Sequence, residues 1–178
     1  NVVIDEEGNP YMTFGSFWGG IRMVRLTDDL SATLKPEKMY TLCTRRYTPS
    51  DGMEQPEQNA VEAPFVFRHG DYYYLFVSYD FCCRGLRSNY RVVVGRSRQV
   101  CGPYADRDGR LLTQGGGTPV VSSDENFVAI GHCAAYRFGD KDYFMAHGYS
   151  RSQDGASMLF LREMEWDSEG WPVLVMPE

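Results

Sequence analysis

One pattern recurs three times along this chain, and it limits the fold more than any other feature. Each copy runs from a short strand through a tight turn into an aromatic strand that ends on small residues. The copies are residues 2–10 leading into 11–16, 63–71 leading into 72–78, and 133–140 leading into 143–148. Tyr11, Tyr73 and Tyr143 lie 62 and 70 residues apart, and Ser16, Ser78 and Gly148 keep the same two spacings. Each copy continues into a third strand, over residues 21–26, 90–95 and 158–164. A fourth, outer strand is expected near 38–43, 111–112 and 171–175. Self-similarity at this period marks a repeat architecture, and no useful window carries the 3.6-residue period of a helix. The chain therefore reads as all-β, built of four-stranded units of the propeller-blade kind. Their boundaries are expected near residues 1–58, 59–128 and 129–178. A single β-sandwich of about a dozen strands is the alternative, and the matched spacings weigh against it.

Composition narrows the function. Aromatic residues make up 14% of the 178 positions, 12 of them Tyr, which favours strands and would suit a carbohydrate groove, although sheet cores use the same residues. The net charge of -6 comes from scattered acids, and no basic stripe marks a nucleic-acid surface. No apolar run approaches the ~20 residues of a membrane-spanning helix. The five cysteines, Cys43, Cys82, Cys83, Cys101 and Cys133, are odd in number and irregular in spacing. They fit neither a disulfide framework nor a zinc pattern, so structural or free thiols are expected. The chain opens Asn1-Val2-Val3-Ile4 as though inside a strand and stops without a tail, so both ends read as cut.

Blade geometry gathers candidate residues. In a propeller the first strand of each blade lines the central channel, so residues at the starts of these strands converge on one pocket. That position is Glu62 in the second unit and, 70 residues later, His132 in the third. Loops joining second and third strands rim the same pocket: Ser16-Phe17-Trp18-Gly19-Gly20, residues 79–89 and residues 149–156. Glu62 sits between apolar neighbours in Ala60-Val61-Glu62-Ala63-Pro64, where desolvation would disfavour its charged form. A carboxylic acid kept protonated is what a glycosidase needs to protonate a leaving oxygen; an exposed loop glutamate is the plainer alternative. His132 could hold a cation, bind substrate or simply be a satisfied core histidine. Phe17 and Trp18 could stack on sugar faces or pack between blades. His147 reads as structural or peripheral, and His69 falls in a turn away from the pocket. Gly115-Gly116-Gly117-Thr118 lacks the Lys and the strand-to-helix context of a phosphate loop and reads as a bend leading to the next blade.

Several runs, in this order, resemble the endo-α-1,5-L-arabinanases of glycoside hydrolase family 43. They are Gly15-Ser16-Phe17-Trp18-Gly19-Gly20-Ile21, Val61-Glu62-Ala63-Pro64-Phe65 and Cys82-Cys83-Arg84-Gly85 through Asn89-Tyr90. Further on come Val94-Gly95-Arg96-Ser97, Gly102-Pro103-Tyr104, Gly131-His132, and Trp166-Asp167 with Gly170-Trp171-Pro172. The likeness runs from Asn1 to about Val173. It implies a five-bladed β-propeller, of which this chain would form the third, fourth and fifth blades. It also implies an extracellular hydrolase that inverts configuration on arabinan or arabino-oligosaccharides. Glu62 matches the general acid, Ser16 a serine beside the substrate with Phe17 and Trp18 on its loop, and His132 a histidine near a bound ion, usually calcium. The family's general-base Asp and a second, tuning Asp would both precede Asn1, so the chain alone is expected to be inactive. Asp5 aligns with the turn after the first strand and does not replace either. Around His132 the family's Gly-Pro-Gly-His-Asn becomes Ala129-Ile130-Gly131-His132-Cys133, which weakens the ion assignment. A related propeller acting on xylosides or arabinofuranoside branches, and a non-catalytic sugar-binding propeller, are the other readings.

Overall fold

The computed structural model describes residues 1–45 and 59–176. Among these, twelve strands form three four-stranded antiparallel sheets, each in plain chain order. The first holds β1 (Val2–Ile4), β2 (Pro10–Phe14), β3 (Ile21–Arg25) and β4 (Met39–Cys43). The second holds β5 (Val61–His69), β6 (Tyr72–Tyr79), β7 (Arg91–Ser97) and β8 (Thr118–Val121). The third holds β9 (Phe127–Phe138), β10 (Lys141–Ser150), β11 (Ser157–Trp166) and β12 (Pro172–Leu174). The helical turns described are two single 3-10 turns, Gly85–Arg87 and Leu112–Gln114.

The middle sheet explains why the sheets stack. β6 reads Tyr-Tyr-Tyr-Leu-Phe-Val-Ser-Tyr with little polar alternation, as a strand covered on both faces does. Tyr73, Leu75, Val77 and Tyr79 point into one seam, against Ile21, Met23 and Leu42 of the first sheet. Tyr74 and Phe76 point into the other, against Phe144, Phe160 and Trp171 of the third. The innermost strands of the sheets are neighbours: β5 packs on β1 and β9. Asn1 fastens the first pair, its side chain donating to the Val66 carbonyl at 3.1 Å and accepting the Val66 N–H at 3.0 Å. Away from the seams, the end sheets turn apolar side chains outward, Val2 and Ile4 on β1 and Leu159 and Leu161 on β11.

Three expectations need correction. The outer strand of the second sheet is β8, at residues 118–121, and not residues 111–112. Leu112 is instead fully buried in a 3-10 turn that packs into the first seam, so its apolar character came from that seam. The three glycines before Thr118 therefore lead into the outer strand of the same sheet, not into the next one. His132 is not at a strand start either: β9 begins five residues earlier, at Phe127. The boundary expected at residue 58 lies outside the described residues.

At the opposite end of β5 from Glu62, Asp142 ties the second and third sheets. Its buried carboxylate accepts from Arg137 Nε at 2.7 Å and Trp166 Nε1 at 2.8 Å, and faces His69 Nδ1 at 3.4 Å. The His69 ring stacks on Trp166 at 3.8 Å. Burial pushes the Asp142 carboxyl up, but the hydrogen bonds from Arg137 and Trp166 outweigh it and hold its pKa below the usual value. Burial foremost lowers the pKa of His69. Both groups hold fewer protons folded than unfolded, so both lose stabilising free energy as the pH falls. Stability should decline below about pH 6.5, where unfolded His takes up its proton, and further below about pH 4, where unfolded carboxylates do. Asp142→Asn should lower stability at pH 7 by about 1–3 kcal/mol and flatten the acid limb of a melting-temperature profile. An unchanged acid limb would show that the tie contributes nothing.

Candidate functional site

Glu62 is the second residue of β5, paired in register with Ser78 of β6. The ladder slips between Glu62 and Phe65, and Ala63 takes a left-handed φ of +52°. Such a bulge re-aims a side chain at a strand end. The half-buried carboxylate is then held at both oxygens. Tyr90 donates its hydroxyl to Oε1 at 2.7 Å, and Ser16 donates to Oε2 at 3.1 Å.

Each donor is fixed by its own surroundings. Ser16 lies on the β2–β3 loop, where the Phe17 N–H donates to the Val61 carbonyl at 2.8 Å. Asn59 Nδ2 donates to the Trp18 carbonyl at 2.7 Å. Gly20 closes that loop with φ +74°, and a Cβ there would overlap the Cys43 carbonyl, so only glycine fits. Tyr90 ends the β6–β7 loop and is fully buried, its ring lying on Gly131, where a Cβ would overlap Cδ1 and Cε1. Burial, foremost, and the bond to Glu62 push the phenol pKa up, while a bond with Ser78 opposes them, so Tyr90 stays a donor.

The site continues across β9 and β10. The His132 N–H donates to Ser78 Oγ at 2.9 Å, with His132 at φ +55°. Its exposed ring lies 6.4 Å from that of His147, which lies 6.0 Å from Tyr90. Burial, then the neighbouring His132, lowers the His147 pKa, so the ring is neutral near pH 7. The two imidazoles border an open groove of about 450 Å³ with Met145 and Leu159. On the other flank, Trp18 is 89% exposed beside a cleft of about 420 Å³ that it shares with Arg22, Thr41 and Asn59. Phe17 lies 6.1 Å from Phe81 of the neighbouring loop. Left-handed φ values at Phe17, Ala63, Cys83 and His132 concentrate strain around this one patch, as functional sites do.

The arrangement is a carboxyl fixed at both oxygens, with Trp18 exposed on the loop that supplies one of the two donors. Comparison decides the family. The model described as glycosyl hydrolases family 43 matches residues 1–172. The chain belongs to that family. It is 40% identical over 171 residues to the extracellular exo-α-(1→5)-L-arabinofuranosidase ArbA of Cellvibrio japonicus, covering 96% of this chain and 49% of that protein. It is 34% identical over 172 residues to the extracellular endo-α-(1→5)-L-arabinanase 1 of Bacillus subtilis, covering 96% and 48%. Among solved structures, an exo-1,5-α-L-arabinanase from a bovine ruminal metagenomic library superposes with a TM-score of 0.91 at 46% identity, covering all of this chain and 57% of that one. The Cellvibrio cellulosa α-L-arabinanase complexed with arabinohexaose superposes with a TM-score of 0.88 at 38% identity, covering 98% and 55%. The family 43 chain thus spans about half the length of the relatives it matches.

Within this family 43 chain, Ser16 and Glu62 are in direct contact, while Phe17 and Trp18 stand on the same loop as Ser16. His132 is on the same patch, joined through Ser78 rather than touching Glu62. Asp5 lies in the β1–β2 turn, its carboxylate accepting the Glu7 and Asn9 N–H groups, and takes no part in the site. His147, read from sequence as structural or peripheral, belongs to the site wall. Tyr90 was missed as a Glu62 partner, because 28 residues of chain separate the pair and no local pattern links them. Calcium takes six to eight oxygen ligands. Among the described residues no three His, Cys, Asp or Glu side chains gather as a metal cluster, and the groove beside His132 offers imidazoles and apolar carbons. Of a calcium shell His132 would supply one ligand, the rest being water or groups outside the described residues.

Proposed function

We propose that this chain carries the general acid of an inverting glycoside hydrolase that cleaves α-1,5-linked L-arabinan. The observation that carries the reading is the Glu62 carboxyl, held at both oxygens by Tyr90 and by Ser16 of the loop that also carries exposed Trp18. The three sheets would be the third to fifth blades of a five-bladed propeller, and the general-base Asp and tuning Asp would come from blades outside this chain. The names of two relatives, both called extracellular, support secretion.

Tyr90 occupies Oε1 from the buried side, so Oε2 is the oxygen left to carry the transferable proton. It faces Ser16, whose exposed hydroxyl can rotate from donor to acceptor as that proton comes and goes. Glu62 would protonate the departing glycosidic oxygen while the base, roughly 6.5–9.5 Å away in inverting enzymes, activates a water on the opposite face of the sugar. Phe17 and Trp18 would stack on neighbouring arabinose rings.

The test joins these residues to an upstream segment carrying the two aspartates and supplies linear arabinan. Release of arabino-oligosaccharides with inverted anomeric configuration is the expected result. Binding of oligosaccharide without turnover would favour the non-catalytic propeller, and turnover of aryl xylosides alone would favour the xylosidase reading. Exo action is a second reading, favoured by the 40% and 46% identities to exo-acting relatives. Exo action gives one short product from the first turnovers, endo action a ladder.

A further inference from the structure

Cys82 and Cys83 lie on the β6–β7 loop that rims the Glu62 site, and the acid chemistry above uses neither thiol. Their sulfurs stand 2.6 Å apart, well inside the van der Waals contact of two sulfur atoms. Adjacent side chains of an extended chain point to opposite sides. Cys83 escapes that rule through a left-handed φ of +66°, which turns both thiols to one side.

The loop holds this conformation from several directions. The Cys83 N–H donates to the Tyr149 hydroxyl at 2.7 Å. The Phe81 N–H donates to Asn89 Oδ1 at 3.0 Å, and the Asn89 N–H returns to the Phe81 carbonyl at 3.1 Å. Cys82 packs against Tyr90, Ala129 and Tyr149, while Cys83 is exposed to reagents. Of the remaining thiols, Cys43 and Cys133 are buried on other strands.

We propose that Cys82 and Cys83 are a redox modification site, closing a vicinal disulfide by exchange with a small-molecule disulfide. The exposed Cys83 thiolate attacks one sulfur of that disulfide and expels one thiolate. Cys82 then attacks the Cys83 sulfur of the mixed disulfide and expels the second. Two protons leave the protein thiols, and the two electrons reduce the small disulfide to two thiols. Burial foremost pushes the Cys82 thiol up to about 11, which suits it to the second, resolving step rather than the first. Because Cys82 packs on the Tyr90 ring, the bond would brace the wall behind Glu62. The proposal concerns thiol chemistry and stands apart from the arabinan reading.

The test incubates the complete protein with glutathione disulfide, blocks free thiols with N-ethylmaleimide under denaturing conditions, and digests with trypsin. The peptide of residues 69–84 should appear two hydrogens lighter than its dithiol form, without maleimide, and should gain two maleimides after reduction. Cys82→Ser should instead trap one glutathione on Cys83, since the resolving thiol is gone. Maleimide on both cysteines of the oxidised wild type, or either cysteine paired with a third, would overturn the proposal.

Discussion

Glu62→Gln, in a chain completed by an upstream segment bearing the two aspartates, should lower kcat on linear arabinan by about 10²–10⁴-fold with KM nearly unchanged. Glutamine keeps the shape of the side chain and a carbonyl oxygen that can still accept from Tyr90 at the Oε1 position. It loses only the proton that Oε2 would deliver. The loss should therefore fall on the chemical step, not on binding. A substrate whose leaving group needs no protonation, such as a nitrophenyl arabinofuranoside, should recover most of the rate. Full activity of the glutamine variant on arabinan would falsify the assignment of Glu62 as the acid.

Gly131→Ala should damage both stability and catalysis although it touches neither Glu62 nor substrate. A Cβ at this position overlaps Cδ1 and Cε1 of Tyr90. The ring has nowhere to retreat, since Tyr90 is fully buried and packed with Ala129 and Tyr149. Overpacking of this kind costs about 1–3 kcal/mol, which a thermal melt reads as a drop of several degrees. Any shift of the ring carries its hydroxyl off Glu62 Oε1, so kcat should fall too. Tyr90→Phe separates the two effects, because it keeps the ring on Gly131 and removes only the donor. If Gly131→Ala melts like the wild type, the Tyr90 ring is not wedged against this strand.

Residues whose role depends on local pattern could be read in advance. The thrice-repeated unit placed β2, β6 and β10 within a residue or two, because aromatic strands between tight turns are written in consecutive positions. The same arithmetic set Glu62 and His132 on one patch. Leu111 and Leu112 misled because two apolar residues near a Gly-rich bend look alike whether they form an outer strand or fill a seam. Only the first sheet's proximity decides that Leu112 turns inward. His69 and Asp142 form a tie between sheets across 73 positions of chain, which no periodicity announces.

The feature this chain determines by sequence alone is its repeat: three antiparallel sheets of four strands, with an acidic residue at the start of the second. Strand propensity, turn residues and apolar spacing are local quantities, so they survive without coordinates. Tertiary structure alone decided what surrounds that acid. The β5 bulge aims Glu62, Gly131 makes room for Tyr90, and Ser16 arrives from another sheet to hold the second oxygen. Those contacts join residues 28 to 46 positions apart, two of the three across neighbouring sheets. Side chains that meet only when two sheets close on each other leave no mark in either strand taken singly.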